Sequence, residues 1–200
     1  MFLRLEAMVS RIKLPWNSRH GYIQGPVIAE PHVVVGDAMS VGLNLLTGVA
    51  ALGSATVGGV FYGFSSFIMR GLRQLPPASG AAAMQQINVA AVRPGLMAAL
   101  FGTAAACLAL AIWTGVRGPS QRTVAVVSGS VLYLVGAVGV TAAFNVPLND
   151  ALAAVEPNAP GIEAIWQDYL RRWSSGNHMR AISCLAAAAL YIWAFTTGDE

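Results

Sequence analysis

Three long apolar runs, nearly free of charge, alternate along the chain with short polar stretches, and a fourth, shorter apolar run closes it. Each is about as long as a helix needs to be to cross a hydrocarbon core of ~30 Å. They predict membrane-spanning helices at about 41–69, 95–116, 124–144 and 179–195. Small residues such as Gly48, Gly58, Gly63, Gly129, Gly136 and Gly139 recur within the first and third runs. Such residues let neighbouring helices approach closely. Asn44 and Tyr62 are the polar exceptions of the first run and read as interfacial anchors. Tyr191 and Trp193 read the same way near the end of the fourth.

The polar stretches between the runs differ in kind. From Arg70 to Arg93, Pro76-Pro77 and Gly80 punctuate a connection whose second half predicts a short amphipathic helix. Met84, Ile87 and Ala91 would share one side of it, with Gln85, Gln86 and Asn88 supplying neutral hydrogen-bonding groups. Such a helix either lies at the lipid headgroups or covers a site. The turn Arg117–Arg122 is short enough to force the second and third spans to be antiparallel neighbours. At the end of the third span, N-V-P-L-N places Pro147 where its ring clashes with the Ala143 carbonyl, so a break or kink is expected. Asn145 and Asn149 would then satisfy the freed backbone groups. The expected fold is an all-α, integral membrane four-helix bundle. It carries a polar extramembrane cap between helices three and four and the amphipathic helix between helices one and two. The domain covers 41–197 and follows a partly irregular tail, 1–40.

Composition sharpens the class. The chain is 56% hydrophobic and only 10% charged, against ~25% charged in ordinary soluble chains, so a multi-pass membrane protein is expected. A net charge of +3 spread over scattered basic residues gives no nucleic-acid footprint. The partners expected instead are a lipid bilayer and a lipophilic small molecule, with the small-residue faces leaving a homo-oligomer open. The first twenty residues mix Arg4, Arg11, Lys13 and Arg19 with apolar residues and show no signal-peptide pattern. Phe2, Leu5, Met8 and Ile12 fit one face of a short interfacial helix, with an irregular tail as the alternative. Six basic residues fall on each side of four spans, so the positive-inside rule does not fix the orientation. Cys107 and Cys184 sit in apolar runs without metal-site spacing and read as buried thiols, a disulfide or metal pair being the alternative.

Chemistry concentrates between Asn145 and Arg180. If the chain is helical from Trp166, a turn of about 100° per residue puts Trp166, Tyr169, Trp173, Asn177 and Arg180 on one stripe. His178 falls about a quarter turn away. Ser174-Ser175-Gly176 is the weak point of that helix. An arginine at the head of an apolar helix must pair with an acid such as Asp150 or Asp168, snorkel to the interface, or meet an anionic ligand. Taken singly, the aromatics fit an interfacial belt, the asparagines fit helix caps, and His178 fits an ordinary interfacial histidine; their clustering is what suggests a site. No phosphate-binding loop, dinucleotide fingerprint, zinc signature or Ser-His-Asp set occurs. With His20 and His32 in the tail, only His178 is near a span, which disfavours bis-His haem and di-iron centres. A metal would need ligands from another chain.

Four segments in order carry a family resemblance: F-Y-G-F-S-S-F-I-M-R-G-L, M-Q-Q-I-N, N-V-P-L-N and W-x-x-Y-x-x-x-W-x-x-x-N-H-x-R. From about Val41 to Phe195 the chain resembles the anthrone oxygenase-like family of small four-helix membrane proteins. It departs from the family pattern at Arg70 and at Ser174-Ser175-Gly176. The resemblance implies oxidation of a flat, lipophilic, anthrone-type substrate by dioxygen. No organic cofactor or metal is predicted, since an enolate reacts with oxygen directly. On that reading His178 is the base, and Arg180, Asn177 or Asn145 stabilises the oxyanion. Tyr169 orients the base or relays a proton. Trp166 and Trp173 stack on the rings, with Asn149 and Asn88 among the substrate-binding groups. The competing expectation is a non-enzymatic membrane subunit or lipophile-binding protein. A channel is disfavoured because no span carries a charge at mid-membrane.

Overall fold

A computed structural model describes the backbone of residues 31–197 and side chains from Ser40 to Thr197. The expectations for residues 1–30 lie outside the described residues, and the part of the expected tail from Pro31 onward is the start of a helix rather than irregular chain. The chain divides into the units Met1–Asp37 and Ala38–Glu200, and the second of these holds the helices that matter for function. Every regular element among the described residues is helical. The chain runs through α1 (Pro31–Gly63), α2 (Met69–Arg73), α3 (Pro77–Ala91), α4 (Pro94–Gly115), α5 (Gln121–Val131), α6 (Val146–Ala153) and α7 (Ile162–Ala194). Three stretches are long and apolar enough to cross a membrane: Ser40–Arg73, Pro94–Gly115 and Gln121–Ala153.

The first and third of these are continuous helices with π-helical turns inside them. A π turn at Phe64–Ile68 joins α1 to α2, and π turns at Leu132–Gly139 and Thr141–Asn145 join α5 to α6. Of the break or kink expected at Pro147, the break is absent. Proline lacks an N–H and crowds the carbonyl four residues back, which an unmodified α-helix cannot absorb. Here the turn just before it is widened, the Val146 N–H donating to the Thr141 carbonyl, and the helix continues through Pro147 to Ala153. Between α4 and α5 the chain turns at Gly118, whose φ of 94° suits glycine. Ser120 then caps α5, its hydroxyl accepting from the Thr123 N–H at 3.1 Å.

α7 is one unbroken helix of 33 residues, about 50 Å long at 1.5 Å per residue. Ser174-Ser175-Gly176 does not interrupt it. Gly176 is there for contact: a Cβ at this position would lie 2.5 Å from Phe144 Cδ1 and 2.7 Å from Asn145 Oδ1. Gly136 permits a similar approach two turns further along α7, where a Cβ would meet the Ser183 hydroxyl at 2.1 Å. The C-terminal half of α7 packs along α5 and the π segment after it. Gly176→Ala is therefore expected to cost about 1–3 kcal/mol by overpacking, seen as a lower thermal midpoint in detergent. An unchanged midpoint would mean that α7 and the π segment can part freely.

Two apolar cores result. The larger, which includes Leu43, Val57, Leu110, Val126, Tyr133 and Tyr191, runs through α1, α4, α5 and the second half of α7. The smaller gathers Met69, Leu72, Met84, Leu148, Leu152 and the aromatic residues Trp166, Tyr169 and Trp173. It joins α2, α3 and α6 to the first half of α7. α3 is held there at three points. Gly80 lies against the Trp166 indole. Gln85 Nε2 donates to the Leu152 and Val155 carbonyls, both at 2.9 Å. Asn88 Nδ2 reaches the Tyr169 hydroxyl at 3.4 Å.

Candidate functional site

The stripe expected on α7 is buried along its whole length: Trp166, Tyr169, Trp173, Asn177 and Arg180 are all at most 5% exposed. Arg180 is its focus. The guanidinium carbon lies 4.2 Å from the centre of the Phe61 ring and 5.1 Å from that of Trp173, so the cation sits between two aromatic faces. It donates to Asn177 Oδ1 at 2.9 Å and to Thr141 Oγ1 at 3.2 Å, while its Nε has no partner. Of the three fates expected for Arg180, pairing with an acid is not the one found. Asp168 instead pairs with Arg171 and Arg172 on the outer face of α7. No ion pair among the described residues includes Arg180. A buried guanidinium held only by neutral groups keeps most of its positive field for whatever enters beside it.

Asn177 connects this cation to α1. Its Nδ2 donates to the Phe61 carbonyl at 2.7 Å and to Ser65 Oγ at 2.8 Å. A π turn slips the helical register by one residue and leaves carbonyls at its edge short of donors. The turn at Phe64–Ile68 does this: the Ser66 hydroxyl takes the Tyr62 carbonyl at 2.7 Å, and Asn177 takes that of Phe61. Ser65 Oγ also meets His178 Nδ1 at 2.8 Å.

A second cluster faces Arg180 from α6. Asn149 Oδ1 accepts from Trp173 Nε1 at 2.8 Å and from the Tyr169 hydroxyl at 2.9 Å. With that oxygen doubly engaged, the amide is locked and its NH2 is left to donate elsewhere. Tyr169 stacks between Trp166 and Trp173, at 5.6 Å and 6.2 Å. Burial pushes its phenol above the ordinary tyrosine range, opposed by the Asn88 hydrogen bond and the Arg180 charge. Asn145 donates to the Trp173 carbonyl at 3.1 Å, so it ties the backbone of α7 to the end of the third span.

These groups border a cavity of about 100 Å³. Arg180, Asn149, Asn88 and Thr141 are its polar lining, and Phe61, Phe64 and Trp173 are walls. Val60 and Val92, which are 37% and 68% exposed, also line it and make an apolar rim between α1 and the α3–α4 turn. α3 thus covers the site, contributing Met84, Ile87 and Asn88. Two larger hollows lie elsewhere: one of about 260 Å³ at the α4–α5 turn and an apolar surface groove of about 590 Å³ beside Gly139, Phe144 and Met179. Neither is lined by Arg180 or the α7 aromatics, so the smaller cavity is the candidate site.

The structure brings five of the nine expected site residues into or directly behind this cavity: Arg180, Trp173, Asn149 and Asn88 line it, and Tyr169 orders its asparagines. Asn177 and Asn145 act one contact further back. Two placements depart from expectation. His178 is exposed and does not line the cavity; it is joined to the site only through Ser65 and Asn177. Trp166 is buried beneath Gly80 of α3, away from the lining. Phe61, Ser65 and Thr141 join the site although the sequence assigned none of them a role, Phe61 and Ser65 being present only within the first segment of the resemblance. A serine or threonine in an apolar span carries no signal beyond its polarity, and Phe61 looks like any core aromatic.

The family model described as anthrone oxygenase matches residues 90–190. No curated protein and no solved structure matches the chain. The matched stretch runs from the end of α3 almost to the end of α7 and contains N-V-P-L-N, the aromatic stripe and Arg180, and on this match the chain belongs to the anthrone oxygenase family.

Proposed function

We propose that this chain is a multi-pass membrane oxygenase that oxidises a flat, lipophilic aromatic ketone of the anthrone type with dioxygen. On this reading the apolar half of α7 is a fourth span beside the three others. The core around Trp166 and Tyr169 then forms a cap at the membrane surface. The observation that carries the proposal is Arg180: a buried cation without a carboxylate, set between aromatic faces at the wall of an apolar cavity. Such a site stabilises negative charge on a planar molecule. A cavity of about 100 Å³ is below the ~300–1,000 Å³ typical for drug-sized ligands. A tricyclic substrate would therefore place its oxygen-bearing end inside and project past Val60 and Val92 towards the lipid.

The chemistry needs only the substrate's own electrons. Loss of one methylene proton gives an enolate, whose oxygen pairs with Arg180 and the Asn149 amide. The enolate carbon forms a bond to dioxygen, giving a peroxide that takes up a proton. Cleavage of the O–O bond releases hydroxide, which takes the remaining C–H proton, and the second carbonyl and water result. One dioxygen is consumed per methylene oxidised, and no external reductant enters the balance. Trp173 and Phe61 supply the flat walls, and a membrane setting supplies both an apolar substrate and dissolved oxygen.

The test is oxygen uptake by the purified protein with an anthrone, corrected for spontaneous oxidation, with metal content determined on the same sample. Uptake no faster than background would end the oxygenase reading. The same assay tests whether His178 is a base. His178 lies outside the cavity and touches Arg180 only through Ser65 and Asn177. His178→Ala is therefore expected to lose about tenfold less activity than removal of the Arg180 charge, whose role is that of an oxyanion donor. Equal losses would return His178 to the reacting atoms.

A further inference from the structure

The oxygenase reading leaves open how the substrate's proton departs, and the residues around the cavity bear on this directly. Its polar lining, among the described residues, is Arg180, Asn149, Asn88 and Thr141. None is a proton acceptor at neutral pH: a guanidinium and two amides do not take protons, and a threonine hydroxyl is no base. Tyr169, the nearest phenol, is already engaged on both sides, accepting from Asn88 and donating to Asn149. The thiol one turn further along α7 is that of Cys184. Cys184 belongs to the buried packing of the larger core and is not part of the lining. The acids of this region, the exposed Asp150 and the half-buried Asp168, do not line the cavity either. Strong positive charge thus stands in an apolar cavity without a base beside it.

We propose that the site takes its substrate as a preformed oxyanion, selected by Arg180 from the enol or phenol in equilibrium at the membrane surface, and that no side chain in the cavity abstracts a proton. This rests on the oxygenase reading for the oxidation, but not for the binding itself. The O–H bond breaks outside the cavity, the proton stays with bulk water, and the electron pair enters on oxygen as the anion paired with the guanidinium. Trp173 and Phe61 hold the ring, and the Asn149 NH2 is placed to give the anion a further hydrogen bond. The ligand class is accordingly a planar, lipophilic enolate or phenolate. A neutral ketone that cannot enolise, or a phenol ether of the same shape, is excluded by the same physics.

The probe is a naphthol, which has an aromatic body, one ionisable oxygen and distinct absorbance in its neutral and anionic forms. Titrated anaerobically into the purified protein in detergent, the bound naphthol is expected to ionise about one to three pH units below its value in buffer, the shift a nearby opposite charge produces. The direction follows from sign: a cation favours the charged form of a phenol and lowers its pKa, whereas burial alone would raise it. Its methyl ether, matched in shape, is expected to bind at least about tenfold more weakly. Arg180→Met should abolish the downward shift, and Arg180→Lys should keep part of it. Should Arg180→Met fail to fold, the comparison of naphthol with its ether on the native protein decides alone. A bound naphthol that ionises at or above its value in buffer, equal affinity for the ether, or no binding of either would overturn the proposal. Because no oxygen is present, the outcome separates from the oxygenase test. A shifted naphthol without anthrone-dependent uptake would leave an anion-binding site and remove the oxidation.

Discussion

Arg180→Met is expected to lower anthrone-dependent oxygen uptake by about 10²–10³-fold, the usual cost of deleting one oxyanion-stabilising group. The effect should fall on substrate binding as well as on turnover, since the guanidinium already pairs with the oxyanion when it enters and holds the charge through the reaction. Folding is not expected to fail with it. The methionine fills the space between Phe61 and Trp173 with a flexible, polarisable chain, and it removes a buried cation that no carboxylate compensates. What it leaves behind is Asn177 Oδ1 and the Thr141 hydroxyl without their donor. Thr141 still donates to the Ala137 carbonyl at 2.7 Å, so the burden falls on Asn177. A well-folded Arg180→Met protein with native uptake would show that the buried charge has no role in the reaction.

Asn149→Leu is expected to be the most destabilising single change at the site. Its Oδ1 is the shared acceptor for Trp173 Nε1 and the Tyr169 hydroxyl. An apolar side chain there strands two donors, each at a cost of about 1–3 kcal/mol. The cycle with Tyr169→Phe isolates this. In the native background the phenylalanine removes a satisfied hydroxyl and should destabilise. In the Asn149→Leu background it removes a stranded one, and should cost little or even help. If the two changes add to within about 0.5 kcal/mol, the asparagine is not the joint that holds the aromatic pair.

The apolar runs are legible in the sequence because hydropathy and length are properties of the sequence itself. The first two helices that meet both tests begin and end within a few residues of where the runs do, whereas the third starts close by but continues past 144 through Pro147 to Ala153. The aromatic stripe is legible for a similar reason: once α7 is a helix, geometry forces Trp166, Tyr169, Trp173, Asn177 and Arg180 onto one face. What that face meets is not legible. Arg180 is expected to pair with an acid, snorkel to the interface or meet an anionic ligand, and Asp168 is one candidate acid. The two project in different directions around α7, and Asp168 serves Arg171 and Arg172 instead. His178 enters the expected site by its chemistry, although its own angular offset already points away from the stripe. Pro147 shows the limit from the other side. Its effect on an α-helix is a local rule, but the π turn that absorbs it is a property of the whole preceding segment. Gly176 looks like a flaw in a helix on sequence alone because its partner, Phe144, is distant in sequence and close in space.

The π turns of the third helix separate its length from its phase. An α-helix of fixed sequence has one angular position for every residue. The stretch Leu132–Asn145 contains residues beyond those an α-helix would use. Loss of one residue there could be absorbed by tightening a π turn to α, with little change at the helix ends. Loss of one residue between Asn145 and Asn149 has no such reserve. It would turn Asn149 by about 100°, off the indole and phenol it binds. Tolerance to insertion and deletion should therefore change abruptly along one continuous helix, and the boundary falls where the chain passes from span to site.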